Sequence, residues 1–393
     1  MKKKTLIIVI ALVAAAIAGT TIFFATKSGN KGTKVGFYNI PEEIAQVYKE
    51  IITKENKSQI EFITLTEEDI KKDRNIKKLS MIITYNNALT QRLKPEAEPV
   101  PQDIMERFPR TIRESELYNY ENTPKIFPIS LDMFETMVLT TAVNYYNLPV
   151  PETVTDIMAF GKKAKETYPF PIIISGAQDI IANSFFTQLV ESFGGKTGYQ
   201  NIKKQLEEDK NLENFYNYKV KDTITVKTIL DLIKTWEKEE ILSRNWHTTK
   251  PESTSRFIED NRVSMALMTL SEHRKITSSN LNYYETIIFP PAETSGPDRL
   301  SIQPAIVGMI LKASPETKII TSRLTTVENQ ELISLQTQLG PVTLQGTSFD
   351  RQADDARFFA ASFPGGPVPD LATLVFEDSQ TRHKMAELIR NYK

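Results

Sequence analysis

The chain has 393 residues, 40% hydrophobic, 9% aromatic and 25% charged, with a formal net charge of −1. That length exceeds one small core and fits two domains, while the near-neutral balance argues against a nucleic-acid binder, which needs a clustered basic excess to neutralise phosphates. There is no cysteine, which excludes disulfides, thiolate metal sites, a cysteine nucleophile and a lipid-modified cysteine anchor.

The N-terminal "MKKKTLIIVIALVAAAIAGTTIFFATK" places Lys2, Lys3 and Lys4 before an uncharged run from Thr5 to Thr26 that closes at Lys27. About 20 apolar residues in a helix span the roughly 30 Å hydrocarbon core. The leading lysines would stay on the cytoplasmic side, putting everything after Lys27 outside. A cleaved secretory signal is the competing reading, with Ala16-Ile17-Ala18 as small residues at a suitable spacing. The apolar run continues through Ile22-Phe23-Phe24-Ala25, which favours a retained anchor. Residues 1–27 are therefore expected to be an anchor or signal helix and 28–33 a Gly/Ser/Lys linker.

Beyond the linker, Val35–Tyr38 read as a strand and Pro41–Lys54 as an amphipathic helix with proline in its first turn. Gln59–Leu65 alternate as a strand, Thr66–Asp69 open a short helix, and "LSMIITY" is an apolar strand ending at Asn86-Asn87. This alternation predicts a sheet with parallel members and covered faces. "KIFPISLD" gives a strand at Ile126–Ile129, followed by a predicted helix over Glu135–Tyr146 and a Pro-Val-Pro turn. "PETVTDIMAFGKKAKETY" carries a capped helix start at Thr153–Asp156, "FPIIIS" is a buried strand, and "AQDIIANSFFTQLVESFGG" a helix closed by glycine. Val263–Leu270 form a short apolar run. Further helices are predicted at about 199–217, 225–241, 315–339, 350–362 and 370–391.

Motifs for chemistry are sparse. "GGKT" at Gly194–Thr197 lacks the first glycine of a phosphate loop, since Val190 stands there, and it follows a helix instead of preceding one. His247, His273 and His383 show no metal-ligand spacing. Glu272-His273 are expected to be neighbours on opposite sides of an extended chain, so they cannot converge as a base and its orienting carboxylate. There is no GxSxG elbow and no dinucleotide fingerprint. Neither catalysis nor a cofactor or metal is expected.

Aromatic and amide residues suggest binding instead. Tyr38, Tyr85, Trp246, Tyr283 and Tyr284 fall near strand ends or loops, beside Asn39, Asn86, Asn87, Asp132 and Gln303. Open α/β sheets bind ligands beyond the carboxyl ends of their strands. Uncharged hydrogen-bonding groups beside aromatic faces suit a polar solute such as a sugar.

Ordered landmarks then resemble the extracellular solute-binding proteins of ABC importers, in the large sugar-type, maltose-binding-like class. "IFPISLDMFETMVLTTAVNYYNLPVPETVTDIMAFGKKAKE" resembles the family's crossover strand, helix, "Gly-Leu-Pro-x-Pro" turn and "Thr-Trp-Asp-Glu" helix, the last two read here as Asn147–Pro151 and Thr153–Asp156. "FIEDNRVSMALMTLSEHRKI" resembles its "F-x-x-G-K-x-A-M" strand, and "YYETIIFPPAETSG" its short strand ending in proline. "SIQPAIVGMILKASPETK" and "LTTVENQELISLQTQLGPVTLQG" are similar to the family's following strand and helix.

The resemblance implies an α/β, two-lobed periplasmic-binding-protein fold of type II, with hinge crossover strands. It places 34–130 with 275–315 in an N-terminal lobe, and 131–270 with 316–393 in a C-terminal lobe. Tyr38, Asn39, Asn86, Asn87, Asp132, Trp246, Ser271, Glu272 and Gln303 become the expected ligand-binding cleft wall. The implied partners are a small polar solute, with sugar favoured, an ABC permease and, through the N-terminal helix, the membrane. The protein would be a monomer in the bacterial cell envelope. Two departures weaken the sugar reading: Thr269-Leu270-Ser271 stands where sugar binders carry "Gly-Pro-Trp", and Val138-Leu139 replaces "Tyr-Asn". The lost aromatic favours an alternative role, a membrane-anchored envelope sensor or structural protein on the same fold.

Overall fold

The computed structural model describes residues 32–54, 59–146, 149–276, 278–293, 298–345 and 350–393. The anchor, the linker up to residue 31, and Asn147-Leu148 of the Pro-rich turn lie outside the described residues. No helix among the described residues is long and apolar enough to cross a membrane.

In chain order, β1 (Thr33–Tyr38), α1 (Glu42–Thr53), β2 (Ile60–Leu65), β3 (Met81–Tyr85), α2 (Ala88–Leu93), α3 (Arg110–Arg113) and β4 (Phe127–Leu131) come first. Next are β5 (Phe134–Leu139), α4 (Val154–Ala164), β6 (Phe170–Ile174), α5 (Asp179–Glu208), α6 (Val226–Lys238), β7 (Val263–Thr269), α7 (Leu270–His273) and β8 (Tyr284–Ile287). The chain then returns through β9 (Ala305–Ile310), α8 (Pro315–Leu324) and α9 (Val327–Thr337). It ends with α10 (Arg351–Ser362), α11 (Leu371–Val375) and α12 (Ser379–Arg390).

Two sheets organise these elements. The first runs β2-β1-β3-β9-β4, with β1 parallel to β2 and β3, and β9 antiparallel to β3 and β4. The second runs β8-β5-β7-β6, with β6 parallel to β7 and the other pairs antiparallel. Each sheet has its own hydrophobic core. In the first, α1 buries Ala45, Tyr48, Ile51 and Ile52 at helical spacing, and the Tyr48 hydroxyl reaches Ser130 Oγ at 2.7 Å to tie the helix to β4. In the second, Thr153 and Asp156 form a reciprocal capping box that starts α4. Separate cores joined by short passages make two lobes.

The described chain passes between lobes at Asp132-Met133, again before β9, and again after α9. A small apolar cluster of Met133, Leu270, Ala356, Phe359 and Phe363 sits at this junction, and α10 there touches both α3 and α7.

Several boundaries differ from the sequence expectation. Residues 284–287 pair with β5 in the second sheet, so the return to the first lobe comes near β9 and not at 275. Helices α8 and α9 bury Ile320, Leu324 and Ile333 in the first core, so that lobe does not end at 315. The segment from Glu135 begins as a strand and only becomes helical at Thr140, because β7 and β8 flank it on both edges. Gly195, at φ 57° and ψ −151°, breaks the helix as glycine can, but the next helix resumes at once.

Candidate functional site

A cavity of about 630 Å³ lies between the lobes, within the ordinary range for small-molecule sites. The first lobe contributes Arg110, Glu114, Glu116 and Leu117; the second contributes Lys196, Tyr199, Lys203, Lys204 and Glu207. Leu300, Gly365, Val368 and Leu374 add an apolar face. The charges are partly paired within each wall: Arg110 Nε meets Glu114 at 2.7 Å, and Lys203 Nζ meets Glu207 at 2.6 Å. Beside them, Lys94 donates to Gln91 Oε1 at 2.7 Å and to the Glu116 carbonyl at 2.6 Å, and burial pulls its ammonium down to about 8. Tyr199 is the aromatic lining residue, but its ring is buried and its hydroxyl is spent on the Pro369 carbonyl at 2.9 Å.

At one margin the lobes touch directly. Arg92, on α2, forks onto Glu377 with Nε–Oε1 at 2.6 Å and Nη2–Oε2 at 3.3 Å. Close by, the Ser379 amide donates to Glu67 at 3.1 Å. Tyr38, at the end of β1, is raised above the ordinary phenol range by burial, with the Arg382 guanidinium opposing that shift.

None of the sequence-predicted contacts lines the cavity. Tyr38 is buried facing the C-terminal helix, and Asn39 is exposed in a left-handed turn at φ 54°. Asn86 is buried, its Oδ1 accepting from Thr90 Oγ1 at 3.0 Å and Gln91 Nε2 at 2.8 Å. Asn87 caps α2 by accepting from the Thr90 amide at 3.1 Å. Trp246 is wholly buried in the second core, edge-on to Phe185 and donating to Glu237 at 2.7 Å. It is a core residue, not a cleft-wall stacking platform.

The remaining four converge at the hinge. Asp132, in the first crossover, accepts from the Ser271 amide and from Ser271 Oγ, each at 2.9 Å. Burial nevertheless pushes the Asp132 carboxyl up to about 6. Glu272 is pushed to about 7, by burial first and then by the charge of Asp132. Gln303, in the passage before β9, is buried and donates to Ser301 Oγ at 2.7 Å and to the Ala356 carbonyl at 3.0 Å. Residues 270–273 are a helical turn capped by Thr269, not the extended chain expected from the sequence.

The same place holds a pair that sequence reasoning missed. His273 Nδ1 lies 2.7 Å from Glu135 Oε2, and both side chains are wholly buried. An acidic residue inside the apolar run "FETMVL" was the available signal, because a buried carboxylate requires a partner. Arg274 then bonds Asp350 Oδ2 through Nε at 2.9 Å and Nη2 at 2.7 Å, and the Leu339 carbonyl at 3.0 Å. That guanidinium pins α7 to the end of α9. No group of three or more His, Asp or Glu side chains among the described residues is placed to hold a metal ion.

Neither a protein-family model nor a curated protein matches the chain. Solved structures do, over almost its whole length. The bacterial solute receptor AcbH, with an exclusive preference for β-D-galactopyranose, superposes with a TM-score of 0.72 at 10% identity, covering 91% of this chain and 93% of that one. The binding protein MsmE of Bacillus subtilis, in an open conformation, gives 0.71 at 13% identity, with 92% and 93% covered. Ligand-free RafE of Streptococcus pneumoniae gives 0.67 at 14% identity, again over 92% and 93%. By architecture, then, the chain has the mixed α/β, two-lobed fold of these solute and sugar receptors.

Proposed function

We propose that the protein is an exported solute-binding protein that captures a small polar solute, with a sugar favoured, between its lobes and delivers it to an ABC permease. The observation that carries this reading is a ligand-sized interlobe cavity in a chain sharing its fold with sugar receptors across nine-tenths of its length. Hinged lobes of this kind close around a ligand, and closure is what a transporter can sense. Among the sequence-predicted contacts, Asn39 is already exposed, and Tyr38, Asp132, Ser271 and Glu272 remain candidates where opening of the lobes would expose them. The N-terminal helix would tether the protein to the outer face of the cytoplasmic membrane as a monomer.

A thermal-shift screen of the full chain against mono- and oligosaccharides, amino acids and short peptides tests this. A solute at 100 times its dissociation constant should add about 2.7 kcal/mol of stability. A hit outside the sugars moves the solute class. Silence from every small solute rejects the reading in favour of a membrane-anchored sensor or structural role. One observation favours that second reading: the cavity offers no open aromatic face among the described residues, its Tyr199 ring being buried.

A further inference from the structure

We propose that the hinge is itself proton-sensitive: the packing of the first crossover against α7 and α10 loosens as the solution passes from acidic to neutral.

The geometry is that of a buried polar knot placed where the lobes join. Asp132 lies in the crossover and Glu135 follows at the start of β5; α7 supplies Glu272 and His273, and α10 supplies Asp355. Three atoms of this knot are buried without any hydrogen-bond partner: Glu135 Oε1, Glu272 Oε2 and His273 Nε2. The cations nearby are committed elsewhere or lie outside. Arg274 is held by Asp350. Arg351 is mostly exposed and shared between Glu285 at 3.2 Å and Asp355 at 3.7 Å. Lys275 is exposed and only weakly offsets the charge on Asp132 and Glu272. The other groups facing the knot add no positive charge: Tyr85 from β3 senses Asp132, Glu252 from helix Pro251–Glu259 senses Glu272, and Asp354 senses Asp355. The knot therefore holds four carboxyls and one buried imidazole, which bonds Glu135 and faces Asp355.

Burial and mutual repulsion hold Asp132 and Asp355 at about 6 and Glu272 at about 7. A carboxyl held above its ordinary range binds its proton more tightly in the packed hinge than in an exposed one. The packed hinge is therefore most favoured below about pH 4, where such groups are protonated in either state, and loses that advantage as pH rises from about 4 through 6 to 7. One raised unit corresponds to about tenfold in an equilibrium. We therefore expect the open-to-packed ratio to rise at least tenfold across this window.

The test uses the ligand-free full chain, so it is independent of any solute screen. Because the chain has no native cysteine, Glu50→Cys on α1 and Lys238→Cys on α6 can carry a donor and acceptor for energy transfer between lobes. Hydrogen exchange at residues 131–134, corrected for intrinsic rates, is read in parallel from pH 4.5 to 8. The expected result is a transition centred between pH 5.5 and 7 in both readouts, flattened by Glu272→Gln with Asp355→Asn. A flat wild-type profile overturns the proposal, as does a transition that the double variant leaves unmoved. Should the double variant fail to fold, the wild-type profile together with Asp355→Asn alone decides the question.

Discussion

The buried ion pair between α5 and the passage that returns to the first lobe shows how much a single side chain can be asked to do. Glu191 is wholly buried and accepts from Arg299 through Nε at 2.6 Å and Nη2 at 2.7 Å, and from the Leu300 amide at 2.9 Å. Arg299 also donates to the Phe289 carbonyl at 2.8 Å, so the pair joins α5 to the passage that returns to the first lobe. Removing one partner leaves an uncompensated charge in a site that cannot rehydrate it. Arg299→Met should therefore cost about 3–5 kcal/mol in urea unfolding, whereas Glu191→Leu combined with Arg299→Met should be far closer to neutral. Equal losses in the single and double variants would show that the apolar packing, and not the charge, is what matters there. Trp246 teaches the converse lesson about residue type. Its indole nests where Gly176 leaves no side chain, a Cβ there coming within 2.3 Å of the ring. An aromatic near a loop cannot be told from a stacking platform until the glycine facing it is known.

Elements were legible where their partners are close in sequence or their pattern is local. The strands β1, β2 and β3, helix α1 and the capped start of α4 follow from apolar spacing, proline and capping residues. The β5 strand was not, because "FETMVL" is buried on both faces and so lacks alternation. Its neighbours β7 and β8 arrive far downstream, and only they turn a helix-compatible run into a strand. The site suffers in the same way: Asp132 and Gln303 were picked out, but their role at the hinge depends on Ser271 and Ala356, which only the fold brings near. At this scale Gly308 carries a prediction. It sits in β9 between β3 and β4, and an added Cβ would fall 2.2 Å from Phe127 Cζ on the adjacent strand. Gly308→Ala should destabilise the first lobe by about 1–3 kcal/mol through overpacking, and Gly308→Ala with Phe127→Leu should recover part of the loss. No recovery in the denaturation midpoint would place the cost in the backbone and not in the ring contact.

For the whole molecule, what matters is how two separate cores come to rest against each other. The hinge is fixed by a small apolar cluster together with polar contacts, while another margin is fixed by Arg92 on Glu377 and by Glu67 on the Ser379 amide. The margin contact is half-exposed, and exposed pairs contribute only about 0.2–1 kcal/mol. Released, it should shift the balance of closed and open forms by up to about fivefold. That is too little to unfold anything and enough to change the average shape. Arg92→Ala should thus leave the melting temperature nearly unchanged while increasing the radius of gyration measured by small-angle scattering at low salt. Salt screens such a pair, so raising ionic strength should expand the wild type toward the variant and leave the variant where it is. An Arg92→Ala chain with the wild-type radius and the wild-type salt response would mean that the lobes are held by their junction alone, and that a solute need displace nothing in order to enter.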